Sequence, residues 1–380
     1  MEKGDVKKAS SLMMCAVFVG FLLFFAVGYI AIPYQGVNYT EQRYYSSKPK
    51  FTLDSFMNGE YREGLENYLI DHLAGRTFFV TLCSELKNFT GRRGTSFYWR
   101  GNDGQMFRRS VYYENELKAT ADAINKFAEK TDVPIDMILT PDAAGILDDK
   151  LPIGVVNDSE DMIAEAFRQQ LDSKINMYYT KDVIEKAAAE GIKVFYRTDQ
   201  HWTTECARRV FESYMQQSGQ GLRAVEYEEH YSSEFYGNLY PCAPSFFDEP
   251  ETVLYYTNPL GKYTVTRLDT GKTTDTIYDY SFLVTLSNKY IMPLSGDFWR
   301  VRITSDAPGK KLLLLGDSYM LPMIQLLADQ YKEILVIDAR DFDKRGKSME
   351  EAIGDFRPDR ILFVDTVFQI SCGAISQISR

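Results

Sequence analysis

Histidine is scarce in this chain, which has only three, His72, His201 and His230, in 380 residues. The three lie far apart, and none is accompanied by cysteines or carboxylates at the spacing of a metal site. We therefore expect neither a metal ion nor another cofactor. The scarcity also shortens the list of side chains that could act as a general base near neutral pH. His72 belongs to the pattern of a predicted helix, which favours a structural role for it.

Long basic runs are absent as well, and the net charge is −10. A protein that follows a phosphate backbone needs clustered lysine and arginine, so we expect no nucleic-acid partner. Cysteine is limited to five residues. Cys15 lies in an apolar run, and the other four allow three pairings that the sequence does not distinguish from isolated thiols.

One long apolar run, residues 11–33, stands near the N-terminus and is long enough to cross a bilayer. Lys3, Lys7 and Lys8 precede it, which predicts a cytoplasmic N-terminus and an extracellular remainder. A cleaved signal peptide is the alternative, but the run exceeds a usual signal core and no clear cleavage site follows. The predicted order is a cytoplasmic tail (1–10), a single-pass transmembrane anchor (11–33), a polar stalk (34–57) and one large folded domain (58–380).

The rest of the chain predicts an α/β fold, because apolar segments of strand length alternate with helical patterns. Helices are predicted from Gly59 to Phe89 with a turn, and at 114–130, 160–170, 181–190, 203–217, 319–330 and 349–356. Strands are predicted in a hairpin at 96–109, and at 134–140, 192–196, 311–315, 334–337 and 361–364. Residues 218–305 predict a β-rich insertion. The expected core is a mostly parallel sheet with helices on both faces.

Two short motifs supply the side chains of serine-type acyl chemistry: Thr198-Asp-Gln-His-Trp202 and Leu315-Gly-Asp-Ser-Tyr319. A serine hydroxyl becomes a good nucleophile when an imidazole takes its proton and a carboxylate orients the imidazole. Asp199 and His201 are two residues apart, so on extended backbone both side chains point the same way. The sequence thus offers Ser318 as nucleophile, His201 as base and Asp199 as orienting acid.

Each motif has a simpler interpretation. Ser318 could be only a helix N-cap, and Trp202 could be core rather than a wall that limits the motion of the imidazole. Asp317 competes with Asp199 as the triad acid, but its place beside Ser318 favours a role in the turn. Gly316 would allow the tight turn and a close approach of substrate.

Ligands of parallel sheets bind beyond the carboxyl ends of the strands. Asp199, His201, Ser318, Arg340 and Asp365 all follow predicted strand ends. We therefore expect them at one edge of the sheet. From position alone, Arg340 and Asp365 are candidates for lining the site, although Arg340 could instead form a surface ion pair with Asp341 or Asp343.

The two motifs, in this order, resemble those of the SGNH-hydrolase-like acyltransferases, the class of the alginate O-acetyltransferases, and most closely those of the membrane-anchored DHHW family. Supporting segments are residues 58–60, 68–71, 99–107, 139–141, 150–152, 197–203 and 315–319. The resemblance extends from about residue 52 onward. Two departures are plain: Gln200 replaces the first histidine of the family name, and Ser295-Gly-Asp297 stands where a Gly-Gly-Asn-like turn is expected.

The resemblance implies a triad of Ser318, His201 and Asp199. Tyr319 is a candidate for lining the site from its position alone. It implies an extracytoplasmic O-acyltransferase, most simply an O-acetyltransferase, that modifies a cell-surface or cell-wall polysaccharide. The acyl group would come from a donor that a separate membrane-bound acyltransferase could deliver. Two alternatives stay open: a carbohydrate acetylesterase with the same triad, and a non-catalytic glycan-binding or assembly protein.

Overall fold

The computed structural model describes residues 3–38, 40–95, 97–285, 289–341 and 348–378. The chain divides into two compact units. The first comprises Met1–Arg92 and Pro241–Asp248, and the second comprises Arg93–Tyr240 and Glu249–Arg380.

The first unit is mainly helical. Its elements are α1 (Lys3–Ala31), the short strands β1 (Val37–Asn38) and β2 (Arg43–Tyr44), α2 (Leu53–Met57), α3 (Glu60–Asp71) and α4 (Arg76–Phe89). Within α1, Lys7–Ala31 is long and apolar enough to cross a membrane, with a mean hydropathy of 2.4. The helix-turn-helix predicted for residues 59–89 is confirmed, with Gly75 in the left-handed conformation at the turn.

The segment predicted as a stalk is folded within this unit. Arg43 pairs with Asp71 at the end of α3 at 2.5 Å, and Glu41 pairs with Arg76 at the start of α4 at 2.7 Å. Burial alone would raise the pKa of Glu41, but hydrogen bonds from Arg76 and Arg43 lower it below its usual value. These partly buried ion pairs fasten the β1–β2 hairpin to the two helices.

The second unit is built on one large sheet. Its strand order is β10-β9-β11-β13-β12-β14-β5-β6. The strands are β5 (Ile135–Thr140), β6 (Ile175–Tyr179), β9 (Tyr263–Arg267), β10 (Thr273–Thr274), β11 (Arg300–Ser305), β12 (Lys311–Gly316), β13 (Glu333–Asp338) and β14 (Arg360–Thr366). The five strands from β13 to β6 are parallel, as the sequence predicts. The other three are antiparallel, which makes the sheet mixed.

Helices cover both faces of this sheet. They are α5 (Glu114–Glu129), α6 (Ala143–Ile146), α7 (Glu160–Arg168), α8 (Lys181–Ala189), α9 (Thr204–Gln217), α10 (Phe282–Thr285), α11 (Ile324–Ala328), α12 (Met349–Ile353) and α13 (Val367–Ser371). Side chains alternate along β12: Leu312 and Leu314 join one apolar cluster with α9 and α11, while Leu313 and Leu315 join another with α5 and α7. This alternation explains why β12 reads as an unbroken apolar run.

The predicted β-rich character of residues 218–305 is confirmed. Strands β7 (Glu228–Phe235) and β8 (Glu251–Thr257) form a separate antiparallel ribbon. In contrast, β9, β10 and β11 extend the large sheet. The predicted hairpin before α5 is also present as β3 (Tyr98–Arg100) and β4 (Met106–Arg108), while Ser96 lies outside the described residues.

Three predictions of secondary structure are corrected. Residues 192–196 are not a strand of the sheet, because they fold back on the following segment: Tyr196 N–H donates to the His201 carbonyl and Thr203 N–H to that of Val194. Strand β6 was not predicted. The helix expected at 319–330 is a 3₁₀ helix, Ser318–Met323, followed by α11; Pro322 lies at the junction and donates no backbone hydrogen bond.

Candidate active site

The three side chains predicted to form a triad meet in the second unit. The Ser318 Oγ lies 2.6 Å from the His201 Nε2, and the His201 Nδ1 is hydrogen-bonded to the Asp199 Oδ1. Asp199 is fully buried and His201 is 1% exposed, whereas Ser318 is half-buried. The hydroxyl is thus the member of the three that is most accessible to a substrate. This is the arrangement that serine acyl chemistry requires.

Ser318 is positioned by the end of β12. A Cβ at Gly316 would lie 2.1 Å from the Val364 carbonyl oxygen, so glycine is needed for close contact with β14. A close approach of substrate to Gly316 stays a prediction. Asp317, and not Ser318, is the N-cap of the 3₁₀ helix, and its carboxylate accepts the Tyr319 N–H at 2.7 Å. The Ser318 hydroxyl therefore does not cap the helix and is hydrogen-bonded to His201.

The Asp199 carboxylate accepts three hydrogen bonds, one of them from the imidazole ring. Its Oδ1 accepts the His201 backbone N–H at 2.9 Å as well as the ring, and its Oδ2 accepts the Asn238 N–H at 2.7 Å. Burial alone would raise the pKa of Asp199, but His201 and these N–H groups outweigh it and lower the pKa. The carboxylate is therefore ionised where it meets the imidazole.

The loop before β8 closes behind this carboxylate. A Cβ on Gly237 would lie 2.2 Å from the Asp199 Cβ, and the Gly237 N–H donates to the Thr198 Oγ1 at 3.0 Å. Only glycine allows the two backbones to approach so closely. Sequence reasoning did not single out Gly237 or Asn238, because the contact joins segments that no local pattern relates.

Two aromatic rings contact the imidazole, Tyr319 at 5.2 Å between ring centroids and Tyr290 more closely. The rings of Tyr290 and His201 are stacked with centroids 3.9 Å apart and planes at 15°. The role of Trp202 as a wall that limits the motion of the imidazole stays a prediction. Trp202 is fully buried and lies against Tyr319 at 5.3 Å between ring centroids. Tyr290 had no signal in the sequence, since it follows a region of mixed polar and aromatic residues without periodicity.

Trp202 and Tyr319 connect the two catalytic segments. The Trp202 indole N–H donates to the Tyr319 carbonyl at 3.0 Å, and the Tyr319 hydroxyl is hydrogen-bonded to the Gln200 carbonyl. The residues on both sides of His201 are thereby tied to the residue after Ser318. Tyr319 is 1% exposed. The contact of Tyr319 with substrate stays a prediction. Its hydrogen bonds hold together the two segments that carry His201 and Ser318.

Asp365 and Arg340 lie at the expected edge of the sheet. Arg340 forms a partly exposed ion pair with Asp338, where the sequence suggested a later aspartate, and Asp343 lies outside the described residues. Asp365 is fully buried, and burial followed by the charges of Asp317 and Asp338 raises its pKa well above the usual value. Contact of either residue with substrate stays a prediction.

A buried polar cluster that the sequence did not predict lies below Tyr319. The Tyr319 hydroxyl is 3.1 Å from the Asp142 Oδ1, and Arg108 pairs with the same carboxylate at 2.5 Å. The Asp142 N–H donates to Glu160 at 2.7 Å. Burial, and then the charge of Asp142, raise the pKa of Glu160 to about 8.

Residues 99–275 match the family model of the SGNH hydrolase-like domain of the acetyltransferase AlgX. No curated protein matches the chain significantly. A solved DHHW family protein from Eubacterium siraeum is 22% identical, with a TM-score of 0.59, and the match covers 73% of this chain and 94% of that one.

PatB1 from Bacillus cereus, solved with a sulfonyl adduct, is 17% identical. Its TM-score is 0.62, and the match covers 74% of this chain and 98% of PatB1. The resemblance predicted from the motifs is confirmed by these matches: the chain carries an SGNH-hydrolase-like α/β fold, with the family model of the AlgX acetyltransferase domain matching its central part.

Proposed function

We propose that this protein is an extracytoplasmic O-acyltransferase, most simply an O-acetyltransferase, that acts on a cell-surface or cell-wall polysaccharide. The observation that carries the proposal is the 2.6 Å contact between the Ser318 Oγ and the His201 Nε2, with Asp199 bonded to the other ring nitrogen. The matched family model describes an acetyltransferase domain, which supports transfer of an acetyl group. A pure glycan-binding protein would have no need of all three side chains.

The reaction would run in two acyl-transfer steps. The Ser318 Oγ attacks the acyl carbon of an ester donor while its proton moves to the His201 Nε2, and His201 then returns the proton to the departing donor oxygen. A sugar hydroxyl next gives its proton to His201 and attacks the acyl-serine, which releases the acylated sugar and restores the Ser318 hydroxyl. Asp199 keeps the ring in the required tautomer and stabilises its positive charge.

The apolar helix α1 fits a single-pass anchor of this enzyme. With residues 1–10 in the cytoplasm and 11–33 in the membrane, residues 58–380 would form the catalytic region outside, with 218–305 as its β-rich insertion. A membrane-bound acyltransferase could then supply the acyl donor from the same bilayer. A protease-protection assay on sealed cells tests this topology, and a protected C-terminal region would contradict it.

A sulfonyl fluoride provides the first test of the nucleophile, because attack by an activated serine releases fluoride and leaves a sulfonate ester. We expect the adduct on Ser318 by peptide mass spectrometry, in line with the sulfonyl adduct in the PatB1 structure. Ser318→Ala should abolish the adduct and acetyl transfer, while Ser233→Ala, at an exposed position of β7, should change neither. Transfer by Ser318→Ala at the wild-type rate would exclude Ser318 as nucleophile.

The direction of transfer needs a second assay. The full-length protein is given a chromogenic acetyl ester and an oligosaccharide acceptor, and products are analysed by mass spectrometry. Acetylated sugar supports the transferase, whereas free acetate alone would identify a carbohydrate esterase with the same triad. If neither product depends on Ser318, the protein is a binding or assembly protein.

A further inference from the structure

Helix α4 of the first unit has an inverted distribution of polarity. Its apolar side chains Phe78, Leu82, Leu86 and Phe89 recur on one helix face and are exposed, Phe78 by 54% and Phe89 by 90%. Its inward residues are instead the polar Thr81 and Ser84, which are 4% and 9% exposed. A helix on a water-soluble surface would bury the apolar face. We call this exposed face the α4 stripe.

The α4 stripe is continued by a loop of the same unit. The Phe78 ring lies 5.5 Å from that of Phe246, which is half exposed, and Phe247 beside it is 84% exposed. Glu85 of α4 holds this loop by accepting the Phe246 N–H at 3.1 Å and the Ser245 hydroxyl. The result is a continuous apolar surface, whereas isolated exposed apolar residues would need no explanation.

The position of this surface relative to α1 identifies what covers it. The Phe79 ring, on the same side of α4, lies 6.1 Å from that of Phe25, inside the apolar span Lys7–Ala31. Gly28 of α1 approaches Ala74 so closely that a Cβ there would lie 2.4 Å from the Ala74 Cβ. The turn between α3 and α4 is therefore packed against the outer part of the membrane-crossing helix.

The depth follows from helix geometry. Phe25 is six residues before Ala31, about 9 Å along the axis at 1.5 Å per residue. In a hydrocarbon layer of about 30 Å this level lies within the outer half of the bilayer. A helix that contacts α1 at this level meets lipid unless another protein excludes it.

We propose that α4 is a membrane-interface helix whose stripe, with Phe246 and Phe247, inserts into the outer leaflet. This inference rests on the proposed anchor role of α1 and goes beyond it, because an anchor alone would leave the first unit free in water. Interfacial helices insert their apolar face about 5–10 Å into the boundary between headgroups and acyl chains. The catalytic region would then be fastened to the membrane at two places along the chain.

The test uses the full-length protein in phosphatidylcholine liposomes with a photoreactive side chain. Leu86→p-benzoylphenylalanine and Phe89→p-benzoylphenylalanine probe the stripe, and Leu22→p-benzoylphenylalanine probes the anchor. Lys87→p-benzoylphenylalanine probes an exposed position outside the stripe, about 100° around the helix from Leu86. After irradiation, intact mass spectrometry detects covalent phospholipid adducts. Acetylesterase activity of each variant checks folding, since none of these residues belongs to the triad.

We expect phospholipid adducts at Leu86, Phe89 and Leu22, and at least about fivefold fewer at Lys87, which lies outside the stripe. Adducts at Leu22 with none above the Lys87 level on the stripe would overturn the interface helix and leave the anchor intact. Cross-links from the stripe to a second copy, or to another protein in native membranes, would also overturn it. No adduct at Leu22 would reject the anchor itself, and the inference with it.

Discussion

The phenol ring of Tyr290 is stacked on the imidazole of His201, with ring centroids 3.9 Å apart and planes inclined by 15°. The imidazole is otherwise fixed through its two nitrogens, which bond to Ser318 and Asp199. The stacked ring restricts rotation out of that plane. A residue far from both motifs in the sequence therefore completes the geometry around His201, the proposed general base.

Replacing Tyr290 tests this role. Tyr290→Phe keeps the stacked ring and should leave kcat/KM within about threefold of wild type. Tyr290→Ala should lower kcat/KM roughly 10- to 100-fold, because a small displacement of a catalytic group is costly. Steady-state hydrolysis of a chromogenic acetyl ester measures both, with thermal unfolding to confirm folding. Equal activity of the two variants would show that stacking does not position His201.

Gly237→Ala should displace the triad carboxylate. The added methyl would lie 2.2 Å from the Asp199 Cβ, so one of the two backbones must move. We expect kcat/KM to fall roughly 100-fold with little change in KM, since the defect affects reacting groups and not substrate contacts. Gly36→Ala, where the nearest atom is 4.0 Å from the added carbon, is the control and should be neutral. Unchanged activity of Gly237→Ala would contradict the tight contact.

Asp199 and Asp317 can be separated by matched amide substitutions. Asp199→Asn should lower kcat roughly 10³- to 10⁴-fold, because an amide in that place favours the wrong imidazole tautomer. Asp317→Asn keeps an acceptor for the Tyr319 N–H, so we expect a loss of about 1 kcal/mol in unfolding free energy and less than tenfold in kcat. Single-turnover acylation and chemical denaturation distinguish the two effects. A larger kinetic effect at Asp317 would reverse the assignment.

The sequence predicted the triad because its chemistry is carried by rare residues in short motifs. With three histidines in the chain, the Asp199–His201 pair could be recognised without a fold. The parallel core was equally accessible, since β12 and β14 are buried on both faces and read as apolar runs. The position of Ser318 at the edge of the sheet could be predicted as well, because Ser318 follows the apolar run of β12.

What the sequence did not predict depends on contacts between distant segments. Residues 192–196 have the composition of a strand, yet they pair with residues 201–203 and not with the sheet. Tyr290, Gly237 and Asn238 lie in the β-rich insertion. There, alternating apolar and polar residues predict strands, but they do not predict which residues of the insertion contact the motifs at 198–202 and 315–319. In the sequence, the charged residues Arg108, Asp142 and Glu160 of the buried polar cluster look like ordinary surface residues. The structure shows that Asp142 and Glu160 are buried.

Glu160 predicts a dependence of stability on pH. Burial and the neighbouring Asp142 raise its pKa from 4.5 to about 8, so the folded state favours the protonated acid. Stability from this group is fully present below the unfolded pKa and is lost as pH rises toward about 8. Each pKa unit corresponds to about 1.4 kcal/mol, so the loss is on the order of a few kcal/mol. Chemical denaturation of the wild type between about pH 5 and pH 9 should show this decline.

Glu160→Gln removes the titrating group and should flatten the decline between about pH 5 and pH 8, even if it costs stability at low pH by disturbing the Ser110 and Asp142 hydrogen bonds. The matched control is Glu165→Gln, on the exposed side of the same helix α7, which should follow the wild-type profile. A wild-type stability that does not fall toward pH 9, or a decline that persists in Glu160→Gln, would assign the pH dependence to another group. Because Asp142 contacts Tyr319 directly, ionisation of Glu160 in the folded protein should also disturb the support of the proposed triad and lower kcat as pH rises through about 8.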